Sequence, residues 1–144
     1  MEQEILKPLA VLAGWTMVMW VWMYATRIPA INKLPKPTEP GADQGWTGAM
    51  LEQILPREIQ WKAHNYNHLH EAPTVFYAVA LALAFIQQGN GLNTTIAWAY
   101  VGLRVVHSVY QVTINKVAPR FVLFALSSLC LIALTLHLLI AVFH

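Results

Sequence analysis

HEAPTVFYAVALALAFI, residues 70–86, decides the fold. Glu71 and Pro73 stand at its mouth, and no charged residue follows Glu71 until Arg104. As a helix, Ala72 to Ile86 covers roughly 22 Å, against a hydrocarbon core of about 30 Å. To span a bilayer, the helix has to run backwards by about five residues. That step carries Glu71, His70 and His68 to the membrane edge or just inside it, with His64 near the headgroups. Pro73 lacks a backbone donor and predicts a kink just after Glu71. His64, His68 and Glu71 fall at i, i+4 and i+7, on one helical face. Histidine and carboxylate suit zinc or iron, but no second ligand cluster occurs elsewhere. Interfacial histidines with wet tips are the simpler reading.

Outward from this stretch, the composition agrees with a membrane chain. Of the 144 residues, 57% are hydrophobic and only 11% charged, whereas soluble domains carry about 25% charged residues. The mean hydropathy is +0.47. A formal charge of +2, scattered along the chain, is too small to suggest a nucleic-acid binder. The start, MEQEILKP, is acidic, and no small-residue cleavage site follows it, so a cleavable signal peptide is not expected. Cys130 is the single cysteine and lies in an apolar run, where it reads as a small buried hydrophobe.

Four apolar segments emerge, at about 6–25, 68–86, 92–114 and 121–143, within one domain covering 1–144. The tryptophans of the first, Trp15, Trp20 and Trp22, read as lipid-facing or packing surface. A Pro- and Gly-rich connection, about 27–60 and stiffened by Pro35, Pro37 and Pro40, is expected to be mostly irregular. The other two connections are short, which favours antiparallel neighbours and an all-α integral membrane four-helix bundle. Arg27, Lys33, Lys36, Arg57 and Lys62 lie in the first connection, and Lys116 and Arg120 in the third. The second connection carries no charge. This asymmetry places both termini outside and the long loop in the cytoplasm.

Arg104 lies about 12 residues after Leu92 and about 11 before Asn115, near mid-membrane. Such an arginine is costly, and it faces a bundle interior or a wet cavity. His107 and Gln111 share its face. Glu71 is expected at about the same depth, within reach of Arg104 or His107. His137 reads as a polar contact facing the bundle. The predicted result is a polar pocket in the cytoplasmic half, lined by His68, Glu71, Arg104, His107, Tyr110 or Gln111, and Arg120. Several cations with one carboxylate suit an anionic or zwitterionic ligand with a lipid-like tail.

HNYNHLHEAPTVFYA, together with RVVHSVYQ followed by APR, resembles the MAPEG family, membrane-associated proteins in eicosanoid and glutathione metabolism. The likeness runs from about Arg57 to Phe143 and points to a bacterial-type member in the inner membrane. It implies homotrimers of four-helix subunits, with sites between neighbours that open to the cytoplasm. It also implies glutathione as co-substrate, its thiolate attacking a lipophilic electrophile or reducing a peroxide. Glu71 would then hold the glutathione amino group, Arg104 would face a carboxylate, and Arg120 would activate the thiolate. His64, His68 and Gln111 stand where the family pattern has arginine, asparagine and tyrosine, with Tyr110 one position off. The expectation is a glutathione-dependent transferase or peroxidase. The alternative is a non-catalytic membrane protein that binds lipid or a partner subunit and uses the polar cluster as glue.

Overall fold

The computed structural model describes residues 2–34 and 48–144. Pro35, Lys36, Pro37 and Pro40 lie outside them. Every regular element among the described residues is helical: α1 (Leu6–Asn32), α2 (Gly48–Ile54), α3 (Arg57–His68), α4 (Ala72–Phe85), α5 (Leu92–Thr113) and α6 (Val117–Phe143). Two of them, α1 and α6, are long and apolar enough to cross a membrane. At 27 residues each, they extend roughly 40 Å. Much of their apolar surface faces outward, including Val18, Val21 and Ile28 on α1 and Leu129, Ile132 and Ile140 on α6.

α5 lies at the centre and packs on α1, α3 and α6. Its buried face runs Ala97, Tyr100, Val101, Arg104, His107, Ser108 and Gln111, the i, i+3, i+4, i+7 spacing of a helix stripe. Tyr100 stacks on Phe76 of α4 with ring centroids 4.6 Å apart. Leu12, Met19, Leu83 and Leu134 complete the interior from three other helices.

The second apolar segment differs from a single continuous helix. α3 stops at His68 and α4 starts at Ala72, with Pro73 in its first turn. In an unbroken helix the Pro73 ring would press on the carbonyl of Leu69. The chain instead turns through Leu69–Glu71, with Glu71 at φ −88° and ψ −102°. The long connection also holds more helix than its composition suggests. α1 runs past Pro29 to Asn32, and α2 and α3 follow. Pro29 falls three residues from the helix end, so it costs only the bond that would have reached the Ala25 carbonyl.

The two tight connections are set by local backbone chemistry. The turn just past α5 runs through Asn115, whose φ of 55° is left-handed, a conformation asparagine tolerates. Its amide donates to the Tyr110 carbonyl at 2.9 Å. Pro119 then sits in the first turn of α6, where a missing N–H is harmless. At the opposite end, the Ile5 amide donates to the Gly89 carbonyl at 2.9 Å and strings the N-terminal segment onto the α4–α5 turn. A Cβ on Gly89 would lie 2.6 Å from Ile5 Cγ2 and 2.8 Å from Gln3 Oε1, so the close approach demands glycine.

Candidate functional site

The end of the molecule formed by α3, the last turns of α5 and the first turns of α6 contains an open cleft of about 360 Å³. His64, His68, Glu71, His107, Gln111 and Arg120 line it. The sequence reading named all six. Val117, Phe121 and Phe124 complete the lining. They went unnamed because they look like ordinary span residues. Their only signal is helical spacing around Arg120, which puts Phe121 and Phe124 at i+1 and i+4. Two residues expected in the pocket are absent from this lining: Tyr110, which is half-buried, and Arg104, which is buried behind it.

His68 and Arg120 have definite partners. His68 lies between two helices, its ring centroid 5.0 Å from that of His107 and 5.9 Å from that of Phe124. Its Nδ1 is 2.9 Å from Glu71 Oε2, and the Glu71 side chain is 67% exposed. Glu71 was expected to reach Arg104 or His107. It pairs with His68 instead, because the turn at Leu69–Glu71 swings the carboxylate toward the cleft mouth. Arg120 Nη1 donates to Asn115 Oδ1 at 2.5 Å. The residue in the turn just past α5 therefore also holds this guanidinium.

Arg104 sits one turn below His107 and is 1% exposed. None of its three side-chain nitrogens finds a hydrogen-bond partner among the described residues. Nearby, Asn65 donates to Ser108 Oγ at 2.5 Å and ties α3 to α5. Its own Oδ1 stays unpaired, as does Gln111 Oε1. An unpaired buried cation is expensive. Among the described residues, no three His, Cys, Asp or Glu side chains are gathered to hold a metal ion. His64, His68 and Glu71 share a wall without forming such a trio.

The MAPEG family model matches residues 5–140, nearly the whole chain. The chain belongs to the MAPEG family. No curated protein and no solved structure gives a significant match. As a MAPEG protein with apolar outward faces on α1 and α6, it is an integral membrane protein in a lipid environment. Within that setting, the cleft of this MAPEG chain joins Arg120 and three histidines to the rings of Phe121 and Phe124. An ionic group and an apolar group can therefore enter it together.

Proposed function

We propose that this MAPEG protein is a glutathione-dependent transferase or peroxidase acting on lipophilic substrates. In this reading it assembles as a homotrimer of four-span, bacterial-type subunits in the inner membrane. Both termini lie outside, and the cleft opens to the cytoplasm. The observation that carries the reading is the cleft lining itself, where Arg120, Glu71 and three histidines meet the rings of Phe121 and Phe124. Glutathione offers two carboxylates and an ammonium. Arg120 and Glu71 supply matching opposite charges in the cleft, Arg120 beside the apolar rings, and Arg104 adds a positive charge buried one turn behind His107.

The residues divide the chemistry as follows. Arg120, aimed by Asn115, stabilises the thiolate, which raises the fraction of nucleophile at neutral pH. The thiol proton leaves to solvent through the open mouth. In the transferase reaction, sulfur forms a bond to the electrophilic carbon and the leaving group departs with the electron pair. Phe121, Phe124 and Val117 hold the apolar body of that substrate. His64 and His68 replace the guanidinium and amide of the family pattern. They recognise a carboxylate by single bonds rather than by a bidentate clamp.

Two measurements on purified protein in detergent test the proposal: glutathione binding by calorimetry, and conjugation of an aromatic halide. Saturable binding at or below about millimolar glutathione is expected. Absence of binding in that range refutes the glutathione reading. A second reading, a non-catalytic protein whose polar cluster is internal glue, draws support from the Asn65–Ser108 and His68–Glu71 bonds. It requires that replacing Glu71 and Arg104 together by leucine leave assembly and biological activity intact.

A further inference from the structure

The geometry points to a second binding site in this chain: the cavity between the end of α1, α2 and α3 takes the headgroup of a bilayer phospholipid carrying both a phosphate and a primary ammonium. The cavity measures about 180 Å³, and Arg27, Leu51, Glu52, Leu55, Gln60 and His64 are among its lining residues. It is smaller than pockets for drug-sized ligands, which begin at about 300 Å³, and it suits a headgroup better than a whole lipophilic substrate. Its frame is built in. Leu51 and Leu55 are buried, and Gln60 Nε2 donates to the Leu55 carbonyl at 2.6 Å and the Glu52 carbonyl at 2.5 Å, binding α3 to the end of α2.

Two opposite charges line this one cavity without meeting. Among the described residues, neither the Arg27 guanidinium nor the Glu52 carboxylate has an ion pair or hydrogen bond. A ligand bearing both signs satisfies the two at once, the phosphate on Arg27 and the ammonium on Glu52, through charge-assisted bonds. Glu52 disfavours a purely acidic headgroup and accepts N–H bonds that a quaternary ammonium cannot give. Beside Arg27 on α1, Val21, Tyr24 and Ile28 are exposed, a strip along which acyl chains can lie. The source of the headgroup is therefore the surrounding bilayer. His64 lines both this cavity and the cleft, so the two are neighbours.

The test uses full-length protein, stripped of lipid in detergent and titrated with phosphatidylethanolamine, phosphatidylcholine, phosphatidylglycerol or free glycerophosphoethanolamine, with binding read by native mass spectrometry. Phosphatidylethanolamine should bind about tenfold more tightly than the other two lipids, the worth of one charge-assisted bond. The free headgroup should bind far more weakly than the lipid. Glu52→Gln, on an exposed side chain, should erase the preference, and Arg27→Gln should weaken all three lipids. Equal binding of the three lipids to the unaltered protein overturns the proposal, as does indifference to both substitutions. Free headgroup binding as tightly as lipid overturns the bilayer source, and competition by glutathione reassigns the cavity to the neighbouring cleft.

Discussion

The two ends of this molecule differ in how completely they pair their polar groups. At the end that carries the termini, polar side chains close on one another. Gln3 Nε2 donates to Gln87 Oε1 at 2.8 Å, Gln3 Oε1 accepts from the Gly89 amide at 2.9 Å, and the Glu4 amide donates to Asn90 Oδ1 at 2.8 Å. Thr94 donates to the Gly89 carbonyl at 2.7 Å, and His137 Nδ1 lies 2.6 Å from Asn93 Oδ1. At the cleft end, Arg104, Asn65 Oδ1 and Gln111 Oε1 are buried and unpaired. Satisfied polar groups lock a fold, and unsatisfied ones hold capacity for a partner. The first end is a clasp, and the second keeps buried polar atoms unpaired.

This contrast can be broken at either end. The largest effect is expected from Arg120→Ala, which removes the cation at the cleft. Conjugation should fall on the order of a hundredfold, as when one preorganised charge donor is lost, with the assembly unchanged by size-exclusion chromatography. Gly89→Ala attacks the clasp. The added methyl meets Ile5 Cγ2 at 2.6 Å and the Ala84 backbone at 3.2 Å, and should cost about 2 kcal/mol by overpacking. That loss would appear in thermal unfolding, while activity per folded molecule stays the same. If Gly89→Ala abolished glutathione binding, the division between the two ends would fail.

Arg104→Leu sharpens the comparison from the other side. Removing a buried, unpaired charge should raise the stability of the ligand-free protein, on the order of 1 kcal/mol. The same substitution should remove the stabilisation that glutathione confers. A fall in stability would mean that Arg104 is internal glue. The smallest effect is expected from His68→Ala. Its bond to the exposed Glu71 should be worth under about 1 kcal/mol after solvent screening, measured in a double-mutant cycle with Glu71→Gln.

Much of this was legible from counting depth along the chain. The buried face of α5 follows from the positions of Arg104, His107 and Gln111, and Arg120 follows as the residue opening the last apolar segment. The MAPEG match spans residues 5–140, wider than the stretch from about Arg57 to Phe143 on which the resemblance rested. Rotation was not legible. A proline implies a kink, but only the fold shows that the turn at Leu69–Glu71 leaves the carboxylate paired with His68. The apolar wall of the cleft was hidden as well, because Phe121 and Phe124 carry the same letters as any lipid-facing residue. Helix within the Pro-rich connection escaped notice because Pro29 sits where its missing donor costs little.

The bond between Asn115 and Arg120 couples the chain reversal to the orientation of a cation in the cleft wall. A residue that accepts left-handed geometry to end one helix also acts as the bracket on which a guanidinium is mounted. Lengthening that corner by one residue would leave the cleft walls standing and turn the charge away from its target.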